Sequence, residues 1–207
     1  MVRRFTRQEQ QERTRELLLE AAGAVFMRSG YLAASVDQIA AEAGYTRGAV
    51  YKNFGGKEGL WLAIVERQQR EHLSVVAEAF AAVGTRADLV AALVHITAVS
   101  TREPASRWSA ASLEFLAASI GRPEAAARLY RWFDTEIGEL LAGTLTRLRI
   151  RSPLPVSDLV AGLVSLGSGL NMRRLVDPTL DVASIAEVAV AGLIPEAASG
   201  SSRVLST

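Results

Sequence analysis

The 207-residue chain has no cysteine, two histidines and two lysines, and each scarcity removes a class of function. Without cysteine there is no disulfide framework, no thiolate metal site and no sulfur nucleophile. A reducing compartment is compatible with that. Neither His72 nor His95 has a second histidine at metal-ligand spacing, so no zinc or facial-triad iron site is expected, and no cofactor is implied. No uninterrupted apolar run is long enough to span a bilayer, and residues 1–11 carry arginines without the apolar region of a signal peptide. No membrane partner and a cytoplasmic location are therefore expected. Catalytic motifs are lacking as well. Gly167-Ser168-Gly169 misses the spacing of a nucleophile elbow, and Gly55-Gly56-Lys57 misses the upstream glycine and following hydroxyl of a phosphate loop. Carboxylate pairs at helical spacing are ordinarily solvated faces, so an enzyme is not expected. Alternating β-branched runs between hairpin turns are absent, which leaves no strand to compete with helix.

A composition 49% hydrophobic and 22% charged is that of an ordinary globule, and helical periodicity runs through nearly all of it. Leu17, Leu18, Ala21, Ala22, Val25 and Phe26 mark an amphipathic helix over about 8–29, with Gly30 as its C-cap and Tyr31-Leu32 as an apolar link. Ser35 with Gln38 has the pattern of a capping box, followed by Val36, Ile39 and Ala40 and ended by Gly44. Thr46 is a second N-cap candidate. From Arg47 to Phe54 one face carries Val50 and Phe54 while Arg47, Tyr51 and Lys52 surround the other, until Gly55-Gly56 stops the helix. Two short helices around a glycine turn read as a helix-turn-helix.

A helix of about 25 residues begins at Lys57, and further helices are expected at about 86–100, 104–120, 123–149, 156–175 and 181–193, punctuated by Gly84, Pro104, Pro123, Pro153, Pro155 and Pro178. The middle of the 86–100 helix is so apolar that it reads as buried. Leu159, Leu163, Leu166 and Leu170 form one stripe, with Val182, Ile185, Val188 and Ala189 as its match in the last helix. Such a pair is either an internal hairpin core or a surface that makes a four-helix bundle with a second copy. The Ala/Ser/Gly-rich stretch over 196–207 is expected to be a disordered tail.

The net charge of +1 does not suggest a nucleic-acid partner, but local distribution matters more than the total. Both lysines fall in the helix-turn-helix region, and residues 45–57 hold three cations and no carboxylate. Arg3, Arg4 and Arg7 form a second basic run before the first helix.

The segment from Ser35 to Leu60 resembles the DNA-binding signature of the tetracycline-repressor (TetR) family: a capped helix, a glycine turn, a G-x-x-Y-x-x-F helix and then K-E-x-L, here Gly48, Tyr51, Phe54, Lys57, Glu58 and Leu60. Asn53 stands where histidine is frequent in that family. Gly59 replaces a better helix former, which is expected only to loosen the start of the following helix.

The resemblance implies an all-α protein: a three-helix DNA-binding head with a basic arm over 1–56, a ligand-binding and dimerisation bundle over 57–195, and the tail. It implies a double-stranded DNA operator, a homodimer through the last two helices and a small-molecule effector. Phosphate contacts fall to Tyr51 and Lys57, with Ser35 and Thr46 assisting and Tyr45 and Asn53 adjoining. Arg47, Gly48 and Lys52 face base edges, and Arg4 or Arg7 enters the minor groove. The chemistry agrees, since arginine can pair two donors with guanine, and tyrosine and lysine can hold phosphates without reading sequence. For the effector, His95 with Arg102, Trp108, Glu114, Phe115, Tyr130, Trp132, Phe133 and Asn171 could join apolar walls to a few polar groups. The function implied is a repressor released by its effector. The competing expectations are a helical ligand-binding protein or enzyme that keeps the head as a packing module, and a ligand-independent DNA-binding protein.

Overall fold

The computed structural model describes residues 6–99 and 105–194, so Arg4, Arg102, Pro104 and the expected tail over 196–207 lie outside the described residues. Among the described residues every regular element is a helix: α1 Arg7–Ala33, α2 Val36–Glu42, α3 Arg47–Phe54, α4 Lys57–Ala82, α5 Arg86–Val99, α6 Ala105–Ser119, α7 Glu124–Arg147, α8 Val156–Val176 and α9 Val182–Leu193. No described helix is long and apolar enough to cross a membrane.

Compactness divides the chain into two units, one within Met1–Glu71 and Glu103–Tyr130, the other within His72–Arg102 and Arg131–Thr207. This differs from a functional partition at residue 56, because α6 and the first half of α4 pack with the head.

In the first unit α1 opens on a capping box, with Thr6 Oγ accepting from the Glu9 amide and Glu9 returning to the Thr6 amide. Its inner face of Leu18, Leu19, Ala22, Val25 and Phe26 packs on Ile39, Val50, Leu60, Trp61 and Ile64 and, from α6, Ala111 and Phe115. The aromatic centre is continuous. Trp61 stacks on Trp108 at 4.5 Å between centroids and meets Phe26 edge-on at 5.1 Å, while Tyr31 meets Phe115 edge-on at 5.1 Å.

In the second unit Val76 and Phe80 from α4 and Val83 just after it pack with Leu89 and Leu93 of α5, Leu141 and Leu145 of α7, Leu159 and Val160 of α8 and Val190 of α9. Arginines tie its corners to backbone carbonyls: Arg86 donates to Ile194 O at 2.7 Å and Ala191 O at 2.9 Å, and Arg147 to Phe80 O and Val83 O.

Three sequence expectations change here. On α9 the inward row is Val182, Ala186 and Val190, while Ile185 and Val188 face outward, because a helix apolar nearly all round does not fix its own phase. The α5 middle is buried only along Leu89, Leu93 and Thr97, and His95 is exposed. Gly59 does not weaken α4: a Cβ on it would lie far inside van der Waals contact with the Phe54 carbonyl, so the residue lets the start of α4 close against the end of α3.

Candidate nucleic-acid interface

Helix α2 is held by the expected capping box. Ser35 Oγ accepts from the Gln38 amide at 3.2 Å, and Gln38 Oε1 accepts from the Ser35 amide at 3.0 Å. Gly44 (φ 72°) then turns the chain, and Tyr45 N–H reaches the Ala40 carbonyl at 2.8 Å. Thr46 occupies the N-cap position of α3, yet its hydroxyl makes no capping bond and is exposed. The start of α3 thus presents its unpaired amides and a hydroxyl outward, the arrangement that receives a phosphate.

The outer face of α3 carries Arg47, Gly48, Tyr51 and Lys52, all exposed. Arg47 Nη2 donates to Tyr51 Oη at 3.3 Å, its guanidinium lies 5.5 Å from the Tyr51 ring centroid, and Nη1 sits 3.7 Å from Asp37 Oδ2. The hydrogen bond to Tyr51 is the main influence raising its pKa. Lys52 makes no hydrogen bond or ion pair among the described residues. A Cβ on Gly48 would meet only Thr46 Oγ1, at 3.7 Å, so nothing inside the chain requires glycine there. The Tyr51 ring packs over Gly56 while the residue stays 46% exposed, so it serves as both packing and surface.

Besides the Ser35 hydroxyl, which also donates to Gln38 Oε1 at 3.1 Å, three expected contacts are occupied internally. Asn53 Nδ2 donates to Ala49 O at 2.8 Å, so its amide back-bonds along its own helix. Tyr45 is half-buried, and its hydroxyl accepts from Thr14 Oγ1 at 3.2 Å. Lys57 is the largest departure. Its ammonium donates to the carbonyls of Tyr31 at 3.0 Å, Leu32 at 3.3 Å and Ala34 at 3.0 Å, and lies 4.7 Å from the Tyr31 ring centroid. All three protons are used. Burial pushes the Lys57 pKa down, opposed by the nearby Glu114 carboxylate.

Two α1 residues that sequence reasoning passed over also position α3. Thr14 holds Tyr45 just before the helix, and Arg15 donates to Asn53 O at 3.2 Å with its guanidinium 4.4 Å from the Phe54 ring centroid. Their spacing on a charged α1 face carried no signal, because partners 31 and 38 residues away are invisible to periodicity.

The expected effector residues are divided between the two units, Trp108, Glu114 and Phe115 in the first and His95, Trp132 and Asn171 in the second. Phe115 is buried in the core of the first unit, Trp108 stacks on Trp61, and Glu114 accepts from the Leu32 amide at 2.8 Å. These three are packing and backbone contacts. His95 is at the surface, Trp132 is half-buried in α7, and Asn171 is buried on α8. Asp134 Oδ1 is buried without a hydrogen-bond partner among the described residues, and burial pushes its carboxyl pKa up. In the same unit His72 lies 6.0 Å from the Phe133 ring centroid, its pKa pushed down by burial. No group of three or more His, Asp or Glu able to hold a metal is found among the described residues.

Residues 18–64 match the family model described as "Bacterial regulatory proteins, tetR family". The HTH-type transcriptional regulator SrpR of Pseudomonas putida is 45% identical over 58 residues, 28% of this chain and 27% of that protein. That likeness spans little more than a quarter of either chain. Across the whole fold, GusR of Salmonella enterica superposes with a TM-score of 0.70 at 22% identity, over 87% of this chain and 95% of its own. SmeT, the repressor of the Stenotrophomonas maltophilia multidrug efflux pump SmeDEF, does so with a TM-score of 0.64 at 24% identity, over 88% and 91%, and has also been solved in complex with triclosan.

Proposed function

We propose that this chain, a member of the tetR family of bacterial regulatory proteins, is a dimeric repressor that binds a palindromic DNA operator through α3 and is released by a small organic effector. The observation that carries the DNA-binding reading is the outer face of α3, where an uncommitted Thr46 hydroxyl, exposed Arg47, Tyr51 and Lys52 and a glycine with no internal purpose lie together. Arg47 and Lys52 read base edges, Gly48 admits the groove wall, and Thr46 and Tyr51 hold phosphates. Arg47 leaves Tyr51 and Asp37 to do so, exchanging exposed contacts for a base edge.

The functional division that goes with this reading is residues 1–56 as the head and residues 57–195 for effector and partner, although α6 and the first half of α4 pack with the head. An outward apolar row on the last two helices, with Met172 and Val176 on α8 and Ile185 and Val188 on α9, supports dimerisation through them. Two heads so joined must present their recognition helices roughly 34 to 36 Å apart to meet successive half-sites. An effector favouring another spacing weakens DNA binding, and coupling of about 1 to 3 kcal/mol is enough to regulate. Asp134, His72 and Phe133 supply half-buried polar and aromatic groups for that effector in the second unit.

Fluorescence anisotropy with the DNA upstream of the protein's own gene tests the reading. Salt-sensitive binding that resists unrelated competitor DNA is expected; competition equal to that of random duplex refutes it.

A further inference from the structure

The proposed interface depends on a five-residue link, Gly30 to Ala34, between the body of α1 and the cap of α2. That link is gripped from both sides. Gly30 breaks the helix with φ 79° and ψ 173°, and directly after it the Leu32 amide donates to Glu114 Oε2 at 2.8 Å. The carboxylate sits over Gly30 so closely that a Cβ there would be 2.7 Å from each of its oxygens. On the opposite polarity, the link's carbonyls at Tyr31, Leu32 and Ala34 converge on the Lys57 ammonium. Peptide dipoles are thus held between an anion on α6 and a cation on α4. The neighbouring side chains repeat the grip, since Phe115, next to Glu114, packs edge-on against Tyr31, next to Leu32. Two adjacent residues of α6 hold two adjacent residues of the link.

We infer that Glu114 is a positioning residue for DNA binding: seated over Gly30 and bonded to Leu32, its carboxylate sets the angle at which the link delivers α2 and α3. The inference rests on the DNA-binding reading above and gives that surface a control point on α6. The carboxylate itself would repel a phosphate and makes no DNA contact. Gly30 has two reasons to be glycine, its left-handed φ and the seat it leaves for the carboxylate. An anion accepting a backbone N–H is among the stronger kinds of hydrogen bond, which suits a group that must hold a backbone angle.

The test uses the full chain with three substitutions. Glu114→Ala removes the acceptor, Glu114→Gln keeps an acceptor oxygen at the same reach, and Glu114→Asp keeps the charge but withdraws it by one methylene. Residue-resolved amide exchange is followed at Leu32 and across residues 47–54, and affinity for the DNA upstream of the protein's own gene is measured at several salt concentrations. For Ala and Asp the expected result is exchange at Leu32 and across α3 faster by about tenfold, with DNA binding weaker by about tenfold at an unchanged salt slope. Gln restores Leu32 protection and most of the affinity. Faster exchange at Leu32 with α3 exchange and DNA affinity as in the wild type overturns the inference, as does a Gln variant no better than Ala. Should Ala fail to fold, Asp and Gln decide between the same outcomes. Should the wild type not bind the DNA, the functional reading fails separately, and exchange across α3 still decides whether Glu114 positions that helix.

Discussion

Replacing Lys57 with methionine separates two roles that predict opposite observables. Methionine keeps most of the stem beside Tyr31 and removes the three N–H donors to Tyr31, Leu32 and Ala34. A hydrogen bond to a charged group contributes about 1.5 to 3 kcal/mol. The three share one ammonium, and burial, which pushes its pKa down, opposes them, so their sum is far below three such bonds. One strong bond's worth, about 2 to 3 kcal/mol, is the expected loss. For a chain of this size that lowers the melting temperature by about 4 to 12 °C. The DNA assay gives the second half. A lysine that neutralises a phosphate contributes about 0.9 to the slope of log affinity against log salt, or roughly 1.8 across a dimer. If Lys57 is spent on the link, Lys57→Met weakens DNA binding by misplacing α3 and leaves that slope unchanged. A slope reduced by the phosphate amount with an unchanged melting temperature would refute the reasoning and return Lys57 to the DNA backbone.

Arg47→Ala is expected to lose about 1 to 3 kcal/mol against the preferred base and relax specificity at that position alone, and equal loss across all operator variants, read by anisotropy, contradicts a base-reading role. Gly23→Ala and Gly59→Ala form a pair of opposite sign: a Cβ on Gly23 meets nothing within 4 Å and gains about 0.5 to 1 kcal/mol of helix stability, whereas on Gly59 it collides with the Phe54 carbonyl and costs about 1 to 3 kcal/mol, both measured by denaturant titration. Val188→Glu, at a residue 78% exposed on α9, is expected to shift sedimentation from dimer to monomer while leaving helix content unchanged. His72 has a folded pKa below its unfolded value of 6.5, so the unfolded chain binds the extra proton; its contribution is complete above pH 6.5 and is lost as pH falls below it, and His72→Gln should flatten that acid-side decline in melting temperature.

The elements were legible because their boundaries are written in residues with backbone consequences. Gly44 and Gly55 do adopt left-handed φ at the ends of α2 and α3, Ser35 and Gln38 do form a capping box, and Pro123 and Pro155 do precede helices. Such signals are local, so a sequence carries them whole. The outer face of α3 was legible for a related reason: on an eight-residue helix with Val50 and Phe54 inward, the direction of Arg47, Tyr51 and Lys52 follows from geometry.

What escaped depends on which groups lie within reach in three dimensions. A lysine opening a helix beside a glycine-rich turn has the composition of a phosphate anchor, and only the convergence of three carbonyls from 23 to 26 residues upstream assigns its protons otherwise. Gly59 failed in the same way, since helix propensity prices a glycine against its own helix while its cause is the carbonyl of the preceding one. Glu114 and Phe115 carried the polar and aromatic look of a ligand site because a backbone amide and a tyrosine ring are satisfied by the same chemistry as a small molecule. For α9 the obstacle was different: with apolar residues on both sides, the pattern left two phases open, and packing in the second unit chose Val182, Ala186 and Val190. The rejected row, Ile185 and Val188, is left outward and exposed on a helix whose inner face is already filled by packing among the described residues.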